Sequence, residues 1–457
     1  MEKLKKSLLY TYGVGDMFFV LMVFMESYYF TAFLTDYAQF SMKTTSAILY
    51  STNFFDIGCA LLAGIMLQKI NLKFGGKYRS WFLVGPLPIV LLFALQFTKV
   101  GSEMSAAIII IIAFLTSHLL WNIVLACSGS MAGRMTKQPG ELTILSTSRA
   151  QGMAAAGLIF SATGLPLIAF FSARVGQITG MTLTVAVYGV LMILGYLYIY
   201  KITAGKDPYD SEVRQSSQKQ EKTSILEIVH LVLRNPPLRM LVIAEIFRSS
   251  CVQLVAALAF YYFRYVRGDL DFMSVFLLIT AAASFTGATL SRWIGPRLGK
   301  RRTYCIALVC AGIAYSSSRF LGTTSLIFSL LIGLGAMFLA MSSGMTTALY
   351  SDTVVYGEWK TGKNIRGFTM ALQNVAIKLG ILIRTAVVTL GLGLIGYIAL
   401  AEPSPQVQRG IASLMSFSPA AVCFIATVIF FFGYKIHDSE VVKMREEIEE
   451  RAAQRGQ

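Results

Sequence analysis

The chain has 457 residues, of which 55% are hydrophobic and only 14% are charged. This small number of polar residues cannot cover the surface of one or several soluble domains. The composition therefore excludes an ordinary soluble protein and predicts an integral membrane protein. The net charge of +16 could suggest a nucleic-acid partner, but the basic residues fall in short loops between apolar runs, where orientation signals belong. The expected partner is therefore the lipid bilayer, and no nucleic acid is expected.

Apolar runs recur along the chain, and about twenty residues is the length that a helix needs to cross roughly 30 Å of hydrocarbon. The sequence predicts about twelve such spans, and therefore an all-α integral membrane protein. They lie near 8–35, 43–68, 80–99, 105–131, 142–172, 178–202, 238–263, 271–295, 303–322, 325–351, 367–397 and 411–434. No small-residue processing site follows the N-terminal MEKLKKSLLY, so no cleavable signal peptide is expected.

The basic residues occur in every second loop, which predicts that these loops and both termini face the cytoplasm. The charged tail at 437–457 is expected to form a short solvated helix there. The six cysteines all lie in apolar segments without paired metal-ligand spacing. They are expected to be small core residues, and neither a metal nor a cofactor is expected.

A polar stretch at 204–223 separates six spans from six. The predicted domains are an N-terminal six-helix bundle at 1–203, a cytoplasmic linker with an interfacial helix at 204–237, a C-terminal six-helix bundle at 238–436 and a tail at 437–457. KFGGKYRSW after span two and RLGKRRTY after span eight place a glycine and a basic cluster at equivalent positions. These predicted gating or structural loops contain Gly76, Lys77, Arg79, Gly299, Lys300 and Arg301. Two such repeats are typical of secondary transporters.

A charge inside the membrane costs ~2.5 to 3.5 kcal/mol on insertion scales, so the few charged residues of the spans are candidate functional residues. They are Asp16, Glu26, Asp56, Arg149, Glu245, Arg248, Lys378 and Arg384. Spans five and eleven are equivalent in the two repeats, so Arg149 and Lys378 are expected to face each other across a central cavity.

Some of the polar residues within the spans have structural alternatives to a functional role. Glu245 and Arg248 are three residues apart on one helix and are expected to neutralise each other. Asp16 lies near the cytoplasmic end of its span and either pairs with a loop cation or has a functional role. His118 on span four is interpreted as a satisfied core histidine.

Four segments carry a resemblance to a known family: KFGGKYRSW, RNPPLRML, YYFRYVRGD and, most specifically, SDTVVYGEWKTG after span ten. They resemble the glycoside-pentoside-hexuronide cation symporters of the major facilitator superfamily, which include the melibiose permease and the glucuronide and sulfosugar carriers. The resemblance runs from about Tyr12 to the tail. It implies two six-helix bundles, alternating access, and a monomer in the bacterial inner membrane. It also assigns Tyr356, Gly357 and Glu358 to a gating or structural loop.

The same resemblance implies roles for individual residues. It places Arg149 at the sugar site and Lys378 at the substrate and cation site. Asp56 matches the first carboxylate of the family's span-two cation motif, but Cys59 and Ala60 replace its amide and second carboxylate. Two family sugar-binding aspartates fall on valines here. The other predicted substrate-binding residues are Asn122, the nearest polar substitute, and Gln373, Tyr28 and Tyr29.

These departures favour a proton over Na⁺ as the coupling ion, because sodium needs several oxygen ligands and a proton needs one titratable group. Glu26 and Asp56 are the predicted coupling groups or, alternatively, the counter-charges of Arg149 and Lys378. A mainly cationic site favours an anionic glycoside such as a glucuronide or a sulfosugar. A lysolipid or other amphiphile carrier, a neutral oligosaccharide symporter and an efflux carrier are the alternatives. An enzyme is not expected, because no catalytic constellation is evident.

Overall fold

The computed structural model describes residues 4–70, 72, 75–136, 138–207, 232, 234–362, 366–399 and 401–455, and within these ranges the regular structure is entirely helical. The helices of the first half are α1 (Lys6–Thr11), α2 (Val14–Ala32), α3 (Met42–Lys69), α4 (Arg79–Val84), α5 (Pro86–Gln96), α6 (Glu103–Met135), α7 (Pro139–Val175) and α8 (Gln177–Ile202). Those of the second half are α9 (Pro236–Tyr261), α10 (Phe272–Leu298), α11 (Lys300–Leu321), α12 (Ser325–Thr361), α13 (Arg366–Leu394), α14 (Pro405–Gly433) and α15 (Asp438–Arg455).

Eleven helical stretches among the described residues are long and apolar enough to cross a membrane. The remaining predicted span, 80–99, is divided into α4 and α5 at Gly85 and Pro86, because proline has no N–H to continue the helical pattern. The Gly85 N–H still bonds to the Trp81 carbonyl at 2.9 Å, and the Ile89 N–H bonds to the Gly85 carbonyl at 3.2 Å. The two short helices therefore follow one another as one kinked span, and the predicted multi-pass helical architecture is confirmed.

The sequence sets the start of several spans through polar N-cap residues. In each, a side-chain oxygen accepts a hydrogen bond from the backbone N–H three residues later, which satisfies a donor that the helix leaves unpaired. These caps are Ser41, Ser102, Asn235, Thr324 and Ser404. Apolar runs of similar length thus become helices with defined beginnings.

The chain divides into two compact units. Unit 1 contains Met1–Ser216, Asp269–Leu278 and Gly396–Pro403, and unit 2 contains Ser217–Gly268, Ile279–Ile395 and Ser404–Gln457. In unit 1, α2 packs on α7 and α8, and α6 packs on α3 and α5. In unit 2, α9 packs on α13 and α14, and α11 packs on α12 and α14. The predicted domain boundaries stay predictions, and most of the predicted interfacial helix lies outside the described residues.

The first span of each half ends in the same irregular way. A π-helical turn follows α2 at Phe33–Tyr37, and another follows α9 at Tyr262–Arg267. Phe33 and Tyr262 are separated by the same number of residues as Arg149 and Lys378, which are the expected equivalent positions of the two halves, so the internal repeat extends to a local backbone irregularity. Such π-helical turns are rare and occur often at functional sites.

One predicted loop is helical. Tyr356, Gly357 and Glu358 lie within α12, which continues to Thr361, so their assignment to a loop is wrong. The part of α12 beyond its apolar run is contacted by the N-cap of α9, since Asn235 donates a hydrogen bond to the Thr353 carbonyl at 2.8 Å. It ends only at Gly362, whose φ of +70° a glycine adopts at low cost.

The predicted tail helix is present as α15 and is held against the end of α12. The indole N–H of Trp359 donates to the Glu447 carboxylate at 2.6 Å, and Arg451 donates to the Trp359 carbonyl at 2.9 Å. On α15 both contacts are made by charged side chains. They hold this helix against the end of α12 within unit 2.

Candidate functional site

A buried ion pair joins the first and fifth spans of unit 1. The Arg149 guanidinium on α7 donates through Nε to Asp16 Oδ2 at the start of α2. The Tyr196 hydroxyl donates to Asp16 Oδ1 at 3.0 Å, and the Ser128 hydroxyl donates to Oδ2, also at 3.0 Å. The Asp16 side chain has no exposed surface, whereas 20% of the Arg149 side chain is exposed. The aspartate is thus fully paired, as a buried carboxylate must be.

A glycine explains why the fifth span comes close enough to form this pair. A Cβ atom on Gly13 would overlap the Ser148 carbonyl oxygen, so only glycine fits where α7 crosses the break between α1 and α2. The Ser148 hydroxyl accepts from the Gly13 N–H at 3.1 Å and donates to the Tyr10 carbonyl at 2.8 Å. Arg149 follows Ser148 in the chain, so this crossing sets the guanidinium beside Asp16.

The ion pair corrects two expectations from the sequence. Asp16 pairs with a cation of a membrane span and not with one from a loop, and the counter-charge of Arg149 is Asp16 and not Glu26 or Asp56. The sequence offered no signal for this pairing, because the two residues are far apart in the chain. Among the described residues, Arg149 makes this bond through Nε and makes none through its two Nη groups. The terminal fork of the guanidinium therefore retains its donors.

A second polar contact bridges spans one and four. His118 Nε2 on α6 lies 3.3 Å from Glu26 Oε2 on α2, and its Nδ1 lies 3.0 Å from the Phe114 carbonyl oxygen. The imidazole stacks on Phe114, with ring centroids 3.8 Å apart, and on Trp121, with centroids 4.9 Å apart. The histidine side chain is 8% exposed and the glutamate side chain 19% exposed. His118 is therefore held as a core residue, but it also faces a carboxylate, which the sequence interpretation missed.

Asp56, the other predicted coupling residue, is buried on α3. One turn later, the Cys59 thiol donates to the Leu115 carbonyl on α6 at 3.5 Å. This contact places the degenerate cation motif beside the part of α6 that precedes His118. Cysteine and alanine thus stand there in place of the oxygen ligands that the family motif would supply.

The other predicted substrate residues of unit 1 have local partners. The Asn122 amide donates to the His118 carbonyl at 2.7 Å, and the buried Tyr29 hydroxyl donates to the Met273 sulfur at 3.7 Å. Tyr28 is half-buried and stacks on Phe160, with centroids 6.0 Å apart. Aromatic faces thus line this part of α2 and α7, and their contact with substrate stays a prediction.

Unit 2 contains a related carboxylate with a different cationic partner. Glu245 on α9 occupies the position equivalent to Asp16, with the same sequence offset that relates Lys378 to Arg149. Glu245 accepts from Arg248 at 2.7 and 2.8 Å, from the Tyr304 hydroxyl at 2.7 Å and from the Thr346 hydroxyl at 3.1 Å. The predicted neutralisation of Glu245 by Arg248 is present. Both carboxylates accept from a tyrosine and from a hydroxyl of their half's fourth span, but only Asp16 takes its cation from another helix.

The predicted site residues of the eleventh span lie on α13. Lys378 and Gln373 are half-buried, and Arg384 is 6% exposed. The buried Gln373 Nε2 has no hydrogen-bond acceptor within the described part of the chain. Arg149 belongs to unit 1 and Lys378 to unit 2, and the expectation that they face one cavity stays a prediction.

The unit 1 loop that contains Gly76, Lys77 and Arg79 is held by an aspartate that was not among the predicted site residues. Asp207 Oδ2 accepts the backbone N–H groups of Tyr78 at 2.7 Å and Arg79 at 3.0 Å, and Oδ1 accepts from Arg134 Nε at 3.3 Å. Gly76 lies against this carboxylate with a φ of +105°. Lys77, also predicted for this loop, lies over the Tyr78 ring. Asp207 falls in the polar stretch that reads only as a linker, so its sequence context gave no signal.

The corresponding loop of unit 2 uses an aspartate at the equivalent place, after the last span of the half. Asp438 accepts from the Lys300 backbone N–H at 3.3 Å, and its other oxygen lies 3.3 Å from Lys300 Nζ. Arg301 donates to the Phe431 carbonyl at 2.9 Å. Gly299, with φ +81°, precedes them, and Lys300 is the first residue of α11. Each half thus ties its second-to-third-span connection to the segment that follows its sixth span.

Eleven long apolar helical stretches among the described residues, arranged in two units, define a multi-pass membrane protein. The MFS/sugar transport protein family matches residues 11–438, and the chain belongs to that family. It is accordingly a transporter of the major facilitator superfamily and not an enzyme, as the sequence predicted.

Relatives cover nearly the whole chain. A putative sulfoquinovose importer of Salmonella typhimurium is 26% identical over 96% of this chain and 92% of its own length. A glucuronide carrier protein homolog of Escherichia coli is 27% identical over 96% of this chain and 94% of its own length. The structure is similar to that of the xylose transporter XylE from E. coli, with a TM-score of 0.64 and 12% identity over 94% of this chain and 99% of that one. The last likeness concerns the fold alone.

Proposed function

We propose that this protein is a proton-coupled symporter that carries an anionic glycoside, such as a glucuronide or a sulfosugar, by alternating access. The observation that carries the proposal is the state of Arg149. Its Nε is bonded to Asp16, while its Nη groups have no partner among the described residues and the side chain is partly exposed. A guanidinium held at one edge still offers a fork of donors to a carboxylate or sulfonate.

The buried pair gives the substrate a way to act on the protein. An anion that binds the Nη groups competes with Asp16 for the same positive charge. If Arg149 turns toward the substrate, Asp16 retains only the hydroxyl donors Tyr196 and Ser128. Substrate binding would thereby loosen the link between α2 and α7, and a link between helices that can open is what an alternating-access carrier requires.

The names of the relatives support an anionic sugar. The Salmonella relative is named for sulfoquinovose and the E. coli relative for glucuronide. Sulfoquinovose carries a sulfonate group, and a glucuronide carries a carboxylate group. Lys378, at the position equivalent to Arg149, is proposed to supply a second positive charge to the same substrate. A proton is proposed as the coupling ion in preference to Na⁺, because the span-two motif has lost oxygen ligands at Cys59 and Ala60.

The proposed location is a bacterial inner membrane, with both termini in the cytoplasm and the protein acting as a monomer. The alternating basic loops support this orientation. A single cysteine placed at Ser216 should escape an impermeant thiol reagent added from outside, and one placed at Ser404 should react. The reverse labelling pattern would contradict the orientation.

Uptake into proteoliposomes tests the function. Radiolabelled glucuronides and sulfosugars should accumulate when the outside is acidic, and a sodium gradient alone should drive little accumulation. The comparison set contains the uncharged analogue of each glycoside and a lysophospholipid. Preference for the uncharged sugar or the lysolipid would refute the anionic-glycoside proposal, and strong sodium stimulation would refute proton coupling.

A further inference from the structure

The contact between His118 and Glu26 requires a proton. The Phe114 carbonyl, 3.0 Å from His118 Nδ1, can only accept a hydrogen bond, so Nδ1 carries the hydrogen in either charge state of the ring. In the neutral ring, Nε2 then presents a lone pair. That lone pair would face the lone pairs of Glu26 Oε2 at 3.3 Å. Two acceptors at this distance repel each other unless one of them is protonated.

The carboxylate oxygen that faces the histidine has no hydrogen-bond donor in the described part of the chain. Glu26 Oε2 is buried and forms no properly aligned hydrogen bond with any described residue. His118 Nε2 lies at ion-pair distance from it. A buried carboxylate oxygen without a donor is costly, and one added proton removes the problem in either of two ways. It makes an imidazolium beside a carboxylate, or a carboxylic acid beside a neutral imidazole.

Two aromatic rings hold the imidazole in place. The imidazole lies between the rings of Phe114 and Trp121, almost parallel to both, at interplanar angles of 5° and 12°. Stacking on both faces fixes the plane of the imidazole ring. The residue is thereby held in one orientation toward Glu26.

Other titratable groups on the surrounding helices occupy different contacts. Helix α5 contains none. Away from the helix ends, the helices around α2 and α6 carry Tyr50, Asp56 and Cys59 on α3, Arg149 on α7, and Tyr188 and Tyr196 on α8. Arg149 and Tyr196 are bonded to Asp16, Tyr188 is bonded to Thr163, and Cys59 is bonded to a backbone carbonyl. Away from the helix ends, Asp56 is the one acidic alternative among the described residues of these helices, and Asp56→Asn distinguishes it from Glu26.

We infer that His118 and Glu26 form the site that holds the transported proton. This inference rests on the proposed symport function and adds His118 as a residue of the coupling site. On loading of this dyad, a proton from the water on one side of the membrane forms an N–H bond at His118 Nε2 or an O–H bond at Glu26 Oε2, and on release this bond breaks and the proton passes to the water on the other side.

The same two helices also carry the contact that the substrate is proposed to disturb. Asp16 and Glu26 lie on α2, and their partners Ser128 and His118 lie on α6. The two contacts are roughly ten residues, or ~15 Å, apart along each helix. Loss of the Asp16 contact therefore changes the restraint on the helices that hold the proton, which gives a direct physical route for coupling.

The first test needs no substrate. The chain contains only three histidines, so imidazole ¹⁵N spectra of the purified, histidine-labelled protein in detergent can be assigned by substitution. His118 should carry a proton on Nδ1 throughout the titration, and Glu26→Gln should move its titration midpoint. The matched control is Glu440→Gln. It removes a carboxylate that also faces a histidine, since Glu440 lies 3.6 Å from His437, but this pair is exposed. A neutral His118 protonated on Nε2, or a titration that Glu26→Gln leaves unchanged, would overturn the inference.

The second test measures coupling in proteoliposomes. With one proton per substrate, a gradient of one pH unit can drive about a tenfold accumulation. His118→Gln and Glu26→Gln should abolish this accumulation but retain counterflow, in which labelled and unlabelled substrate exchange without net proton movement. His437→Gln, the same substitution at an exposed histidine, should keep the accumulation.

The outcomes separate the two proposals. If the unmodified protein carries none of the glycosides, the proposed function fails, while the histidine spectra still decide whether the dyad exists. If it accumulates a glycoside and both variants do so equally well, the dyad is not the coupling site. Loss of accumulation in Asp56→Asn alone would likewise overturn the inference and assign coupling to Asp56. If a variant has lost counterflow as well, the transport assay no longer reports on coupling, and the histidine spectra of the first test decide whether the dyad exists.

Discussion

Replacing Asp16 with asparagine removes one charge and almost no volume from the centre of unit 1. The single amide oxygen of asparagine can replace only one carboxylate oxygen, so it can accept from Tyr196, which bonds to Oδ1, or from Ser128, which bonds to Oδ2, but not from both in this arrangement. It cannot neutralise Arg149, whose bond to Asp16 crosses from α7 to α2. If Arg149 serves an anionic substrate, Asp16→Asn should weaken the folded protein and strengthen the binding of that substrate.

The two effects can be given magnitudes. Breaking a buried ion pair by removing one partner costs about 3 to 5 kcal/mol, and the 20% exposure of Arg149 favours the lower limit. An anionic substrate would no longer compete with Asp16 for a charge-assisted hydrogen bond of ~1.5 to 3 kcal/mol. Because 1.4 kcal/mol corresponds to about tenfold in affinity, the anionic glycoside should bind roughly ten to a hundred times more tightly. Its uncharged analogue should gain nothing.

Calorimetric titration of the purified protein with a glucuronide and its uncharged analogue measures the affinities. Thermal unfolding with and without the glucuronide measures the stability, and the anion should restore part of the stability that the substitution removes. Glu245→Gln is the matched control, because Glu245 has the equivalent position but takes its cation from the same helix. It should also lower stability, but it should not raise affinity for the anion.

Unchanged or weaker glucuronide binding in Asp16→Asn, with stability reduced as expected, would refute this reasoning. It would mean that the ion pair only joins α2 to α7 and that the substrate does not compete for it. Equal gains for the charged and uncharged glycosides would refute it as well, since they would indicate a general opening of the site.

Three further substitutions test the same structure. Arg149→Lys should weaken glucuronide binding by ~1.5 to 3 kcal/mol in the same titration, because one ammonium cannot replace separate Nε and Nη donors; undiminished affinity would contradict the role of the fork. Lys378→Gln should lower uptake of the anionic glycoside far more than that of its uncharged analogue, and equal losses would assign Lys378 a structural role. Gly13→Ala should lower the free energy of unfolding by about 1 to 3 kcal/mol, because the added methyl group overlaps the Ser148 carbonyl. Unchanged thermal unfolding would show that α7 can move away from Gly13 without cost.

The membrane architecture could be predicted from the sequence because it depends on local quantities. The length of each apolar run sets a span, and the polar N-caps and glycines set many of its ends. The repeat also shows in the sequence, since Arg149 and Lys378, or the two glycine and basic loops, recur at corresponding positions. The prediction failed at Tyr356, where α12 continues as a helix to Thr361 and no loop is present.

The pairing of charges shows most clearly which contacts can be predicted from the sequence and which cannot. The neutralisation of Glu245 by Arg248 could be predicted from the sequence, because residues three apart on a helix are neighbours whatever the fold. The charged residues that lie within apolar runs could be identified in the same way. The pairing of Asp16 with Arg149 and the contact of Glu26 with His118 could not, since each pair joins helices whose approach depends on packing. A bond between helices breaks when the helices move apart, whereas the bond within one helix does not depend on such a movement, so the contacts that are proposed to act in transport are the ones that packing sets.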